Sequence, residues 1–528
     1  FGLTLLALML LCSMVLAACG GSAGKENTAN TDSGNKPAQT GNTGGNNSAA
    51  EDETAGKLVD DPSKKVTITY YRISQGQKTI EELAEYKQFL LDKFNVDWVP
   101  VPLGTGAQYT QTVNTRFASG DIADIVMYQD ALQYKTHAEQ GYLLPLDDFL
   151  DDLKDVYKGL PDDLIQASRL SDGHVYGLPM RQLVATTVWI RQDWLDALNL
   201  SAPKTIDEFY EVAKAFALND PDGNGKQDTF GVSGWGQGQD VYNGLGYVYG
   251  AFGIPELYAM HVEDGVARFG ITSPRMKEAL TFVNRLVQEK ILDPEFFLNK
   301  VADTDQKAVQ GITGIHQRQY AFEGQNHDKI VEINPNAKWV PLDPITGPYG
   351  SGTGLLRNAA YISLSAKLKD DPVKLARIIE MIKWFSTDEG ILYANFGIEG
   401  KNFTLENGKV KPTDTPGGPL YYTLFLGQQA EWFKQSAMNA WGDHLEPLYD
   451  REQALLNQQP VSIYDAVVPP AGTADLFKFV NQNLAAFAFG DRPLTEWDSF
   501  IQEAESKFNL RGIEEDITEQ AKAIGLIQ

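Results

Sequence analysis

The chain reads as an α/β protein built from two lobes, and three observations predict it. From residue 65 onward, strand-like and helix-like stretches alternate, the pattern of βαβ units. About 460 residues follow that point, more than a single hydrophobic core normally holds. No internal repeat of fixed period is visible, so a solenoid is not expected.

The elements can be justified in order. Residues 66–71 (VTITYY) are β-branched and aromatic and read as a strand. Residues 79–82 (TIEE) open a helix with capping-box spacing, and Ile80, Leu83, Leu90 and Phe94 mark its apolar face. Residues 96–99 form a second strand, 107–119 a helix closed by Gly120, and 122–128 a third, apolar strand. The alternation predicts a largely parallel sheet. Residues 187–190 are again strand-like, and Thr205 with Glu208 caps a helix carrying Phe209, Ala213 and Phe216. Ser273-Pro274 and Asp371-Pro372 start two further helices, with Leu280, Val283, Leu375 and Ile378 facing inward.

Ahead of this body lies a different composition. Residues 1–18 carry no charge and end in LAAC at Cys19, an apolar run closed by small residues. That is the form of a secretory signal, and the LAAC ending resembles the lipobox of bacterial lipoproteins, which implies an acylated Cys19 anchoring the protein outside the cell. An uncleaved membrane helix is the rival reading, since 18 apolar residues just reach spanning length. Cys12 would leave with the signal, so the remaining body contains no thiol. Residues 19–64 are the lipidated Cys and a tether. Residues 20–57 contain no aromatic side chain and cannot offset their ordering entropy, so they would reach about 30–40 Å on average. This tail has three lysines against five acids, so all but two of the 25 net negative charges sit on the body. Nucleic acid and anionic lipid are therefore poor partners.

Near the middle, residues 217–230 read ALNDPDGNGKQDTF. Asp220, Asp222, Asn224 and Asp228 fall at positions 1, 3, 5 and 9 of a calcium loop, with Gly225 at the sharp turn and the Lys226 carbonyl at position 7. Gly231 stands at position 12, where a bidentate Glu belongs. Either another carboxylate completes the set, or Asp228 binds through both oxygens with Thr229 assisting. The plainer reading is a turn without metal, because Asp, Asn and Gly favour turns anyway. The number of matches favours Ca2+ as a structural staple.

Successive stretches also carry a family resemblance. Residues 117–125 (FASGDIADI), 141–146 (GYLLPL) and 176–180 (YGLPM) come first. Residues 189–195 (WIRQDWL), 203–209 (PKTIDEF), 384–390 (WFSTDEG) and 395–401 (NFGIEGK) follow in order. Together they resemble landmarks of bacterial extracellular solute-binding proteins of family 1, the maltodextrin-binding-like group, over residues 65–528. The resemblance implies a periplasmic-binding-protein type II-like fold, two α/β lobes with a central ligand cleft and hinge crossovers. It places crossings near 184, 357 and 405. The lobes would be 65–183 plus 357–405, and 184–356 plus 406–528. It also implies a captured solute, most readily an oligosaccharide, delivered by a monomer to the permease subunits of an ABC importer.

In open α/β sheets ligands meet the loops at the carboxyl ends of strands. That rule selects Tyr71 and Arg72, Gln129 and Asp130, Trp235 and Gln237, then Gln317, Arg318 and Tyr320. Rings cover the C–H faces of sugars and planar polar groups bond their hydroxyls, which suits this set. Trp441 is a further candidate, whereas Trp384 sits on an apolar helix face and reads as core. Arg181 lies beside the first crossing, either gripping an anionic group or pairing with an acid. For each of these a purely structural role stays open.

The six histidines are scattered without metal-binding spacing. GVSG at 231–234 lacks the last Gly of a nucleophile elbow, and no phosphate-binding loop is present. No catalytic residue is assigned. With 70 acids, a carboxylate pair for glycoside cleavage stays open. A secreted polysaccharide hydrolase or lyase, and a surface sensor subunit of the same fold, are the alternatives.

Overall fold

The computed structural model describes residues 58–527 except 75–79, 105, 158–159, 161, 171, 181–185, 320, 353–359, 415–431, 433, 436–437, 440–441 and 458–461. Cys19, the signal and most of the tether lie outside the described residues, as do the crossing positions near 184 and 357. Among the described residues no helix is long and apolar enough to cross a membrane.

Two sheets organise the chain from residue 58 on. The strands β1 (Val66–Arg72), β2 (Val96–Pro102), β3 (Ile125–Tyr128) and β4 (Gly177–Met180) come first, followed by β5 (Thr186–Arg191) and β6 (Phe230–Ser233). After the hairpin β7 (Met260–Glu263) and β8 (Val266–Phe269) come β9 (Thr313–Gln319) and β10 (Trp339–Leu342). The short pair β11 (Ile345–Thr346) and β12 (Ser351–Gly352) precedes β13 (Ala360–Leu364), and a hairpin of β14 (Phe403–Glu406) and β15 (Lys409–Pro412) ends the series. One sheet runs β2-β1-β3-β13-β4 and the other β10-β5-β9-β6.

The sheets are mixed, which corrects the expectation of largely parallel ones. β1 pairs parallel with β2 and β3, as alternating strand and helix require. β13 returns from far along the chain and runs antiparallel to β3 and β4. In the second sheet β5 is antiparallel to both β9 and β10, and only β6 and β9 are parallel. Such long-range returns leave no mark on local periodicity.

The five-stranded sheet is covered on both faces. Ile68, Trp98, Ile362 and Ile378 pack on one side, and Tyr71, Tyr109, Val126 and Tyr134 on the other. The second sheet buries Trp194, Phe216 and Ile315 in a cluster that extends to Phe477, Trp497 and Ile517 of the C-terminal helices. Ile524 and Leu526, at the end of the chain, pack against the first sheet's core, and Gln166 Nε2 donates to the Ile524 carbonyl at 3.1 Å.

Several conspicuous stretches of sequence turn out to be rivets. Within FASGDIADI, Asp124 accepts from both Thr69 N and Thr69 Oγ1 at 2.8 Å and faces Lys374 Nζ at 3.3 Å, joining β1, β3 and the helix Pro372–Phe385. Within WIRQDWL, the buried Arg191 grips Asp193 at 2.8 and 2.6 Å and lies over the Trp194 ring. The capping box of Thr205 and Glu208 forms as its spacing predicts.

Candidate functional site: a carboxylate-lined cleft

β3 ends at Tyr128, and the chain turns at once into the helix Ala131–Glu139. Asp130 caps that helix: its Oδ1 accepts from Leu132 N at 2.9 Å and Gln133 N at 3.3 Å. Gln129 and Asp130 thereby form one wall of a cavity of about 650 Å³. The facing wall comes from two later stretches, residues 240–258 and 464–481.

The first stretch is a tight loop after β6. Asp240 Oδ1 accepts from Tyr242 N and Asn243 N, both at 2.8 Å, and its Oδ2 accepts from Asn243 Nδ2 at 2.7 Å. Gly244 makes the loop possible, since its φ of +83° suits glycine and a Cβ there would lie 2.6 Å from the Gly234 Cα. The two stretches together supply rings. Tyr258 stacks on Phe477 with centroids 4.1 Å apart and planes 15° from parallel, and Tyr464 lies 5.3 Å from the same Phe477. The cavity thus joins flat apolar faces to hydrogen-bonding groups such as Asn243 and Asn481.

Its acids are perturbed. Burial pushes the Asp130 and Asp240 carboxyls up, against the backbone N–H bonds that pull them down. Burial also raises Glu256. Asp465 is pushed up to about 7, by burial first and then by the charge of Glu256, with Lys135 opposing. Lys135 is buried in the helix Ala131–Glu139 without a hydrogen-bond partner for its Nζ, and burial lowers it to about 7.

Of the residues selected from sequence, Gln129 and Asp130 line this cavity. Tyr71 and Arg72 are buried, and the Tyr71 hydroxyl donates to the Asp121 carbonyl at 3.2 Å. Trp235 is half-buried and does not line the cavity, its backbone N–H donating to the Asn243 carbonyl, and Gln237 is exposed. Gln317 and Arg318 fall inside β9, which runs on to Gln319 instead of ending at Ile315, so they are strand residues and not loop residues. Gln317 donates to Thr186 Oγ1 at 3.0 Å, and Arg318 pairs with Asp305 at 2.7 Å. Arg181, Tyr320 and Trp441 lie outside the described residues. Trp384 packs among Phe89, Phe94 and Tyr393, the core role read from its helix face.

Sequence reasoning missed Asp240, Glu256, Tyr258, Asp465 and Phe477. One signal was available: an Asp two residues before Tyr-Asn inside a glycine-rich run is a loop that folds on itself. Nothing local marks the others.

The loop at 220–228 forms a second polar cluster. Asn224 Nδ2 donates to Asp222 Oδ2 at 2.8 Å and to Asp228 Oδ1 at 3.1 Å, while Asp220 accepts from Asn224 N and Gly225 N. Burial, then the neighbouring Asp220 and Asp228, raises the Asp222 carboxyl. Among the described residues no three His, Cys, Asp or Glu side chains are set out as a ready metal cluster. The donors are nevertheless all oxygens, the chemistry a hard cation takes.

Gly231 has a clear reason to replace Glu. A Cβ there would lie 2.1 Å from the Ala213 carbonyl oxygen, because β6 presses on the helix Ile206–Leu218. Thr229 Oγ1 donates to the Phe216 carbonyl at 2.8 Å, fastening the same pair of elements.

Two α/β sheets with a ligand-sized cavity at a strand's carboxyl end define a two-lobed binding protein. Residues 74–391 match the family model of the bacterial extracellular solute-binding proteins, and the chain belongs to that family. The polygalacturonan/rhamnogalacturonan-binding protein YtcQ of Bacillus subtilis is 25% identical over 483 residues, covering 86% of this chain and 91% of YtcQ. Lipoprotein LipO of the same organism is 27% identical over 342 residues, covering 62% of this chain and 65% of LipO, under two thirds of that relative's length. Among solved structures, the alginate-binding protein AlgQ2 without calcium ion is similar in fold at a TM-score of 0.63, with 19% identity over 88% of this chain and 99% of AlgQ2.

Proposed function

We propose that this chain captures an oligosaccharide outside the cell and hands it to an ABC importer. The observation that carries this reading is the cavity whose lining joins the Tyr258–Phe477 stack to Gln129 and Asp130. Stacked rings cover sugar C–H faces, and amides and carboxylates bond hydroxyls. The names of YtcQ and AlgQ2 support a polysaccharide-derived ligand.

In this reading the lobes are residues 65–183 plus 357–405 and residues 184–356 plus 406–528, closing over the guest as a monomer. Cys19 carries the lipid that holds the protein at the outer face of the membrane, and residues 20–64 give it reach. The loop oxygens of Asp220, Asp222, Asn224 and Asp228, with the Lys226 carbonyl, hold a structural Ca2+. That ion would cancel the repulsion among the loop carboxylates and pin β6 to the preceding helix.

One observation favours a second reading. Glu256 and Asp465 interact in the cleft and Asp465 is pushed up to about 7, the range of a glycosidase general acid. Titrating the purified full chain with neutral oligosaccharides separates the two. A carrier gives saturable binding, a change in Trp fluorescence and no new reducing ends. Bond cleavage that Asp465→Asn abolishes would replace the carrier reading with a hydrolase.

A further inference from the structure

The charge of the cleft is one-sided. Among the described residues, Asp130, Asp240, Glu256 and Asp465 line it against one cation, Lys478, which is exposed to solvent. Burial raises the Asp130 and Asp240 carboxyls, and the two backbone N–H bonds that each accepts work against that rise and fix the orientation of its oxygens. Lys135, close to Asp465, has its charge suppressed by burial. The whole chain carries a net charge of −25, so the long-range field has the same sign as the cleft.

A sugar carboxylate entering this space would lose its water and face carboxylates, with no guanidinium among the described lining residues to receive it. A hydroxyl or an amine entering the same space meets acceptors that are already oriented. Resting on the sugar-binding reading above, we infer that the cleft selects oligosaccharides rich in hydrogen-bond donors and free of carboxylates, and rejects polyuronates. The polygalacturonan and alginate in the names of YtcQ and AlgQ2 are acidic polymers. That ligand class does not transfer to this chain.

The test is a binding panel on the full chain at low and moderate salt. It contains neutral tetrasaccharides of several linkages, chitosan tetramer as the amino-bearing arm, and tetragalacturonate and tetramannuronate as the uronate arm. The expected result is saturation by a neutral or amino-bearing member, with both uronates about a hundredfold weaker or undetectable, the scale of a like-charge clash of several kcal/mol. Asp130→Asn is expected to narrow that gap, because it removes a repelling charge and keeps the amide carbonyl as a cap. A uronate that binds as tightly as the best neutral or amino-bearing member overturns the inference and leaves sugar binding standing. No saturation by any member overturns the sugar-binding reading itself.

Discussion

Asp220, Asp222 and Asp228 reach one another within a single nine-residue loop, whereas Asp130, Asp240, Glu256 and Asp465 are drawn to one cavity from three distant stretches of chain. Both regions crowd carboxylates, yet they answer the repulsion differently. The loop spends Asn224 and two backbone N–H groups to hold its acids together, a cage whose remaining lone pairs suit a cation. The cleft ties Asp130 and Asp240 to backbone N–H groups and leaves Asp465 protonated over part of the neutral range. On the proposed reading, one region holds a single cation permanently and the other takes a guest reversibly.

That contrast can be broken in four ways. The largest effect is expected from Gly231→Glu, which restores the acid a standard calcium loop carries at position 12. The 2.1 Å approach to the Ala213 carbonyl predicts a loss of more than ~3 kcal/mol in urea unfolding, with no gain in calcium affinity. A variant that folds normally and binds calcium more tightly would show that β6 can give way.

Next, Asp222→Ala is expected to remove calcium's contribution to stability, about 2.7 kcal/mol at a hundredfold excess over Kd. Parent and variant should then melt alike in chelator and apart in calcium, while sugar affinity stays the same. Equal calcium shifts in both proteins would mean that the loop is only a turn.

In the cleft, Tyr258→Ala is expected to weaken sugar binding by ~1–3 kcal/mol in calorimetry, the scale of a lost stacking face. Trp235→Ala should cost less, because Trp235 does not line the cavity. The reverse order would move the guest toward the 235–237 turn.

The smallest effect, taken per pH unit, is a slope. Asp465 is raised in the folded protein, so the folded state holds a proton that the unfolded state releases between about pH 4 and 7. Stability should therefore fall as pH rises through that window, by up to ~1.4 kcal/mol per unit. Asp465→Asn should flatten this, its advantage over the parent growing from pH 5 to pH 7 in denaturant titrations. Parallel curves would show that Asp465 titrates normally.

The legible parts share one property: their partners are close in sequence. Thr205 and Glu208 cap their helix as the spacing says, and β1, β2 and β3 alternate with the helices that periodicity predicts. The family landmarks were legible too, but Asp124 and Arg191 show that they record how the sheets are riveted, not what is bound. The strand-end rule selected Gln129 and Asp130, which line the cavity because β3 ends where its apolar run ends. It misplaced Gln317 and Arg318 because β9 continues through polar residues, which a strand inside a sheet tolerates and a hydrophobicity pattern does not reveal.

The amino-acid order by itself determined the helix caps, the first three strands, the oxygen-rich loop and the family, because each depends on neighbours a few residues apart. Tertiary structure alone decided that β13 would run antiparallel beside β3, that Gly231 had no room for a side chain, and that Asp240, Tyr258, Asp465 and Phe477 would face Asp130. Those outcomes depend on which surfaces pack together. Packing is a property of the whole chain, and no short window of it carries the information.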